Sequence, residues 1–190
     1  EEGAFANTYV KDIIIAPDSP CGMIQDNGLY TKDGKTLLRI LNYNHIFGCI
    51  EDENLEYEYI VPDGVERIGI DFHDYDSFDT LIVPKSVTEI GELAFQPLDY
   101  SSLEKITVNS KNAHYSSVNG VLFNKNKSQL LVYPPKKTST SYALPSGVEV
   151  ISPIYNEYLQ LITLSEKVAV IEKIDYANLK ESSVSADNER

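Results

Sequence analysis

The stretch YEYIVPDGVERIG (residues 57–69) decides the fold, because its pattern returns as DTLIVPKSVTEIG (residues 79–91). Both copies carry an apolar run, a proline and then Val-x-x-Ile-Gly. Looser copies follow as Val148-x-x-Ile151 and Val168-x-x-Ile171. A period near twenty-two residues is typical of a solenoid, in which each repeat packs against its neighbours.

A second pattern lies between these repeats, with apolar residues at alternate positions. Examples are Phe78-x-x-Leu81-x-Val83 and Leu103-x-x-Ile106-x-Val108. Alternation of period two, rich in β-branched residues, predicts short strands with one buried face. The predicted rungs lie near residues 10–15, 57–62, 78–84, 103–108, 142–145 and 159–164. We treat residues 1–190 as a single repeat domain.

Two gaps between rungs are longer than the others and hold similar insertions. Each insertion has two apolar runs around a polar turn, which predicts β-hairpins over 27–40 and 119–133. Asp33-Gly34 and Asn126 are residues that accept positive φ in such turns. The copies divide the chain into rough super-repeats 1–90 and 91–172, and predict that Leu37 faces inward as Leu130 does.

The end of the chain continues the period, with polar residues at positions that are apolar elsewhere. Leu179-x-x-Ser182-x-Val184 has the spacing of a seventh rung, with Ser182 where Ile162 stands one repeat earlier. A terminal rung needs a polar outer surface, so residues 175–190 are predicted to cap the solenoid. A polar tail is the alternative.

Several stretches together resemble the BspA-type leucine-rich repeat, a bacterial class with AF, LxxIxIP and SVTxIG elements. They are residues 57–69, 79–95, 103–135 and 140–151. The resemblance implies a leucine-rich-repeat solenoid of short parallel strands stacked into a right-handed superhelix. It also implies a secreted or surface-exposed bacterial protein that binds host matrix proteins or other cells, with any anchor outside this segment.

The net charge of −13 argues against nucleic acid as a partner, because phosphates require an excess of Lys and Arg. Most of the acidic excess lies in residues 51–79. Asp71, Asp74, Asp76 and Asp79 form a weak candidate for a calcium site, but their spacing matches no calcium-loop motif. Solvated side chains on an outer turn are the favoured interpretation.

The sequence offers no motif for catalysis. It lacks a phosphate-binding glycine loop, a G-x-S-x-G elbow, HExxH and zinc-spaced cysteines, so we expect no enzyme and no cofactor. It also lacks an apolar run long enough for a transmembrane helix. Cys21 and Cys49 allow one disulfide, and two free thiols are the favoured alternative.

A solenoid exposes one long sheet whose outward side chains are free to bind a partner. The rung pattern places these partner-binding candidates outward: Lys11, Asp12, Ile14, Asp79, Thr80, Ile82, Glu104, Lys105, Thr107, Gln160, Leu161 and Thr163. We expect a protein ligand. The alternative is a glycan-binding or scaffold component of a bacterial surface polysaccharide system, which the many tyrosines favour and the missing tryptophan disfavours.

Overall fold

The computed structural model describes residues 13–16, 19–20, 22–41, 58–69, 78–91, 94 and 102–172, together with the backbone of 181–184. Regular structure in these residues is entirely β, without a helix. The strands are β1 (Met23–Gln25), β2 (Gly28–Tyr30), β3 (Thr36–Ile40), β4 (Glu58–Ile60), β5 (Arg67–Ile68), β6 (Thr80–Val83), β7 (Glu89–Ile90), β8 (Lys105–Val108), β9 (Tyr115–Val118), β10 (Val121–Asn124), β11 (Gln129–Val132), β12 (Ser141–Ala143), β13 (Val150–Ile151), β14 (Leu161–Leu164), β15 (Val170–Ile171) and β16 (Glu181–Val184).

The alternating segments form two parallel three-stranded sheets, β4-β6-β8 and β12-β14-β16. In the first sheet Tyr59 lies opposite Leu81, which lies opposite Ile106. All three side chains are buried. The structure therefore confirms parallel strands that are stacked one repeat apart, with every second residue directed into the core.

The Val-x-x-Ile repeats form the other wall of the solenoid. Their strands β5, β7, β13 and β15 are only two residues long, and each pairs in parallel with its neighbour. They extend two five-stranded sheets, in the orders β1-β2-β3-β5-β7 and β9-β10-β11-β13-β15. Each insertion is thus built into a wall, and the next short repeats continue that wall.

Both predicted hairpins are confirmed. β2 pairs antiparallel with β3, and β10 pairs antiparallel with β11. Leu37 and Leu130 are fully buried, as the matching copies predict. The prediction of two strands per insertion was incomplete, since β1 and β9 make each insertion a three-stranded meander. These additional strands are half polar and lack the apolar alternation that marks the others.

The turn residues differ in detail from the sequence prediction. Gly34 has the expected positive φ, but in the second insertion positive φ falls on Lys127 rather than on Asn126. Asn126 instead uses its Oδ1 to accept a bond from the backbone N–H of Ser128, at 3.2 Å. The side chain that closes the turn thus sits one residue before the strained position.

The first predicted rung, 10–15, is wrong in its described part. Residues 13–16 belong to no strand, and Ile14 is 93% exposed. A short β-branched run becomes a strand only where a neighbour offers free backbone groups, and these residues enter no sheet ladder. The rest of this rung lies outside the described residues.

The last strand follows the predicted spacing. β16 pairs in parallel with β14, and Ser182 lies opposite Ile162. The capping role of residues 175–190 remains a prediction, as does the description of residues 1–190 as one domain.

Two apolar cores lie on opposite sides of the second meander. Leu122 packs into the first core with Leu81 and Ile106. Its neighbours in β10, Val121 and Phe123, pack into the second core. Alternate side chains of one strand thus enter different cores, so β10 is a wall shared by the two halves of the solenoid.

Candidate binding face

The outward positions of the two parallel sheets form rows of side chains that the core does not need. We call these rows the binding face: Glu58, Ile60, Asp79, Ile82, Glu104, Lys105, Thr107, Ser141, Ala143, Gln160, Leu161 and Thr163. In the first sheet, Ile60, Ile82 and Thr107 lie opposite one another. In the second, Ser141 pairs with Leu161 and Ala143 with Thr163.

Most of the described residues predicted to bind a partner lie on this face. Glu104, Lys105 and Gln160 are exposed, whereas Asp79, Ile82, Thr107, Leu161 and Thr163 are partly exposed. Strand alternation explains the outward position of Ile82, Lys105, Thr107, Leu161 and Thr163, whereas Asp79, Glu104 and Gln160 directly precede the strands. The role of all eight as partner-binding residues remains a prediction.

Four predicted residues are not part of this face. Thr80 points outward by alternation but is buried, at 4% exposure, because it lies between the neighbouring strands' Glu58 and Lys105. Ile14 is exposed but lies outside the sheets. Lys11 and Asp12 fall outside the described residues.

Ile60 is a residue that the sequence prediction missed. It is 59% exposed and begins the apolar part of the row that Ile82 continues. The sequence does contain a signal for the outward position of Ile60, because the residues on either side of it, Tyr59 and Val61, are apolar and buried. The rung at residues 57–62, like that at 142–145, lacks the full apolar alternation of the longer rungs, from which the outward positions are predicted.

The calcium candidate is not assembled within the described residues. Asp71, Asp74 and Asp76 lie outside them, and the backbone carbonyl of Asp79 accepts bonds from the N–H groups of Glu104 and Lys105. No group of three or more His, Cys, Asp or Glu side chains suited to a metal ion occurs in the described chain. Cys21 and Cys49 also lie outside it.

One asparagine fixes a loop beside the binding face. Asn156 donates from Nδ2 to the carbonyl oxygens of Pro134, Pro135 and Lys137, at 2.8, 2.9 and 3.0 Å. Its Oδ1 accepts bonds from the backbone N–H groups of Tyr158 and Leu159. This single side chain therefore joins residues 134–137 to the approach to β14.

The tyrosines that favoured a glycan ligand are mainly core residues in the described chain. Tyr30, Tyr59, Tyr133 and Tyr142 are all buried, whereas Tyr158 is 39% exposed. The hydroxyl groups of Tyr30 and Tyr59 bond to each other at 2.7 Å. A high tyrosine content is therefore no measure of an aromatic surface, and Tyr158 is the described tyrosine available for stacking on a ligand.

Tyr133 provides a stability prediction, because its buried hydroxyl has no hydrogen-bond partner among the residues that the structure describes. Burial raises the pKa of this group from 10.0 to about 12. Replacing Tyr133 by Phe should raise the free energy of unfolding by about 1 kcal/mol at neutral pH, because an unsatisfied polar group is removed. Urea unfolding measures the change. Tyr142→Phe is the control, since it removes a bond to the Val118 carbonyl oxygen and should destabilise.

The Tyr133 hydroxyl also predicts a loss of stability at alkaline pH. The folded state holds the Tyr133 proton more tightly than the unfolded state. The free energy of unfolding that this difference supplies is therefore fully present below pH 10.0 and is lost as the pH rises towards about 12. Unfolding curves measured across this range should show a shallower loss of stability for Tyr133→Phe than for the original chain. Identical pH dependence would contradict the assignment.

No helix in the described residues is long and apolar enough to span a membrane. Neither a protein-family model nor a curated protein matches the chain.

Solved bacterial structures are similar to it. A leucine-rich repeat protein from Eubacterium ventriosum is 27% identical over 70% of this chain and 42% of its own, with a TM-score of 0.47. The pneumococcal vaccine antigen PcpA is 24% identical over 67% of this chain and 39% of its own, with a TM-score of 0.47.

A leucine-rich cell surface protein from Faecalibacterium prausnitzii is 20% identical over 64% of this chain and 41% of its own, with a TM-score of 0.43. The chain thus spans less than half the length of each of these proteins. The repeats and the strand register of the chain itself define a β-solenoid, and these bacterial leucine-rich repeat proteins are similar to it.

Proposed function

We propose that the chain is a non-catalytic binding or adhesion module that recognises a host matrix protein or another macromolecule through the binding face. The observation that carries the proposal is Ile60, a large apolar side chain that is 59% exposed in a row with Ile82. The opposite faces of the same strands supply the core, so neither outward isoleucine is needed there.

The physical cost of this arrangement supports a contact role. When a partner covers exposed apolar surface, the free energy of binding becomes more favourable by about 25 cal/mol per Å². Thr107 continues the row beside Ile82 as a polar neighbour, as expected of a contact surface with a polar rim. Isolated exposed apolar residues are common on protein surfaces, so the row rather than one residue supports the proposal.

We propose the surface or exterior of a bacterium as the location, which is what the sequence resemblance implies. Among the similar solved proteins, one is described as a cell surface protein and another as a vaccine antigen. The specific partner and the means of attachment are not assigned.

The proposal is tested by binding the chain to a panel of immobilised host matrix proteins and glycans. Ile60→Glu should weaken any specific binding by about tenfold or more, because a charge would enter an apolar contact, and tenfold corresponds to about 1.4 kcal/mol. Ser146→Glu is the control, since it adds the same charge at an exposed turn residue outside the face. Equal binding by both variants, or no binding to any panel member, would overturn the proposal.

A further inference from the structure

Three lysines lie in two neighbouring segments beside the binding face, in a chain whose net charge is −13. This lysine cluster consists of Lys105 at the start of β8 and of Lys136 and Lys137 in the loop before β12. The backbone N–H of Lys136 donates to the carbonyl oxygen of Leu103 at 3.0 Å, which places the loop against the lead-in to β8.

Lys105 is held over the turn between β9 and β10. A methyl group added to Gly120 would lie 3.1 Å from Cγ of Lys105, so the lysine stem passes close to this turn. The next residue is also anchored there, because the N–H of Ile106 donates to the carbonyl oxygen of Gly120 at 2.9 Å. The charged end of Lys105 lies at an exposed position.

Lys136 and Lys137 have different partners. Nζ of Lys136 lies 2.5 Å from Oε1 of Glu157, and the two side chains form a salt bridge. Burial lowers the pKa of Lys137, while Glu104 acts in the opposite direction and Lys105 lowers it further. Lys137 is thus close enough to Lys105 for one positive charge to act on the other.

Other described lysines have acidic partners at the surface, as in the pairs of Lys35 with Glu66 and Lys85 with Asp63. Lys105 and Lys137 form no salt bridge with any described residue. With Glu104 and Glu157 included, the cluster carries three positive and two negative charges. The net charge of the cluster is therefore +1, and Lys105 and Lys137 are its two ammonium groups without a salt bridge to a described residue.

An aromatic side chain lies next to the cluster. The bond from Lys136 lowers the pKa of Glu157, and Tyr158 is the next residue along the chain. Tyr158 is 39% exposed. Asn156 bonds the 134–137 loop, which carries Lys136 and Lys137, to the segment that carries Tyr158.

We propose that Lys105 and Lys137 bind the acidic group of a glycan that carries uronate or sulfate, and that the ring of Tyr158 packs against its sugar. Lysine serves as a point charge for such anions, and an aromatic ring supplies an apolar face for a sugar. This inference rests on the proposed binding function and specifies one class of ligand for it. An acidic protein segment would use the lysines without needing the ring.

The test uses the 190-residue chain and a heparin oligosaccharide, with neutral dextran and an oligoglutamate of matched charge as competing probes. Calorimetry should detect heparin binding that weakens as salt rises. The double variant Lys105→Gln/Lys137→Gln should lose about tenfold or more in affinity, equal to about 1.4 kcal/mol. Lys35→Gln/Lys85→Gln removes the same charge elsewhere and should leave the affinity unchanged.

Two further variants separate the roles of charge, ring and loop. Tyr158→Ala should weaken heparin binding while all three lysines remain. Asn156→Ala should weaken it without any change of charge, because the loop is released, and circular dichroism confirms that each variant is folded.

The proposal is overturned if heparin does not bind, if the double lysine variant binds as tightly as the original chain, or if Tyr158→Ala changes nothing. It is also overturned if oligoglutamate binds as tightly as heparin, which would indicate an acidic protein segment. Binding of a panel protein that Ile60→Glu abolishes, together with no heparin binding, would reject this site alone. Failure of both assays would reject the proposed function as well.

Discussion

Replacing Phe123 by alanine is expected to lower the free energy of unfolding by about 3–5 kcal/mol, the usual cost of removing a buried aromatic ring. Phe123 is fully buried in the second core. The cavity should close only partly, because β10 is held between β9 and β11. Urea unfolding measures the loss, and Val170→Ala is the control, since Val170 is 47% exposed and should cost much less.

The same substitution tests whether the two halves fold as one unit. Leu122 fills the first core from the strand that carries Phe123, so weakening β10 should loosen both halves. Hydrogen exchange should then rise together in β6 and β14. Faster exchange in β14 with unchanged protection in β6 would mean that the shared wall does not couple the cores.

Asn112→Ala is the second large effect, expected to cost about 3–4 kcal/mol because four hydrogen bonds of a buried side chain are lost. Nδ2 of Asn112 donates to the carbonyl oxygens of Pro84 and Val87, both at 2.8 Å. Oδ1 accepts bonds from the N–H groups of His114 and Tyr115, also at 2.8 Å. The side chain is fully buried, so water does not replace these partners.

Asn109→Ala provides the matched control. Asn109 is exposed and accepts one side-chain bond, from the N–H of Lys111 at 3.0 Å. Its loss should cost about 1 kcal/mol or less. Thermal melting and urea unfolding of both variants give the comparison. A similar small loss for the two would show that Asn112 does not anchor the meander.

The walls of the solenoid were predictable because strand periodicity is local. Tyr59, Leu81 and Ile106 occupy the same position in successive repeats and form one buried row. The additional strand β9 was not predictable, since its sequence, Tyr115-Ser-Ser-Val118, lacks an apolar alternation. Its position depends on Asn112, whose side chain donates a hydrogen bond to the Val87 carbonyl oxygen in a distant loop, and on β10, with which β9 pairs.

Some residues of the candidate site could likewise be predicted from the sequence, and others could not. The outward rows follow from alternation, which is why Ile82 and Thr107 could be placed from the sequence. Thr80 could not, because its burial depends on the strands on either side. The lysine cluster also has no sequence signal, since the loop that carries Lys136 and Lys137 is placed beside the lead-in to β8 by the backbone bond from Lys136 to Leu103.

Hydroxyl-radical footprinting of the chain, free and bound to the panel member with the highest affinity, tests the central claim most directly. The exposed residues Ile60, Ile24 and Val170 are internal reporters, with exposures of 59%, 40% and 47%. Oxidation of Ile60 should fall in the complex, because it lies on the binding face, while Ile24 and Val170 should react as before. Protection of Ile24 or Val170 with Ile60 unchanged would contradict binding through this face.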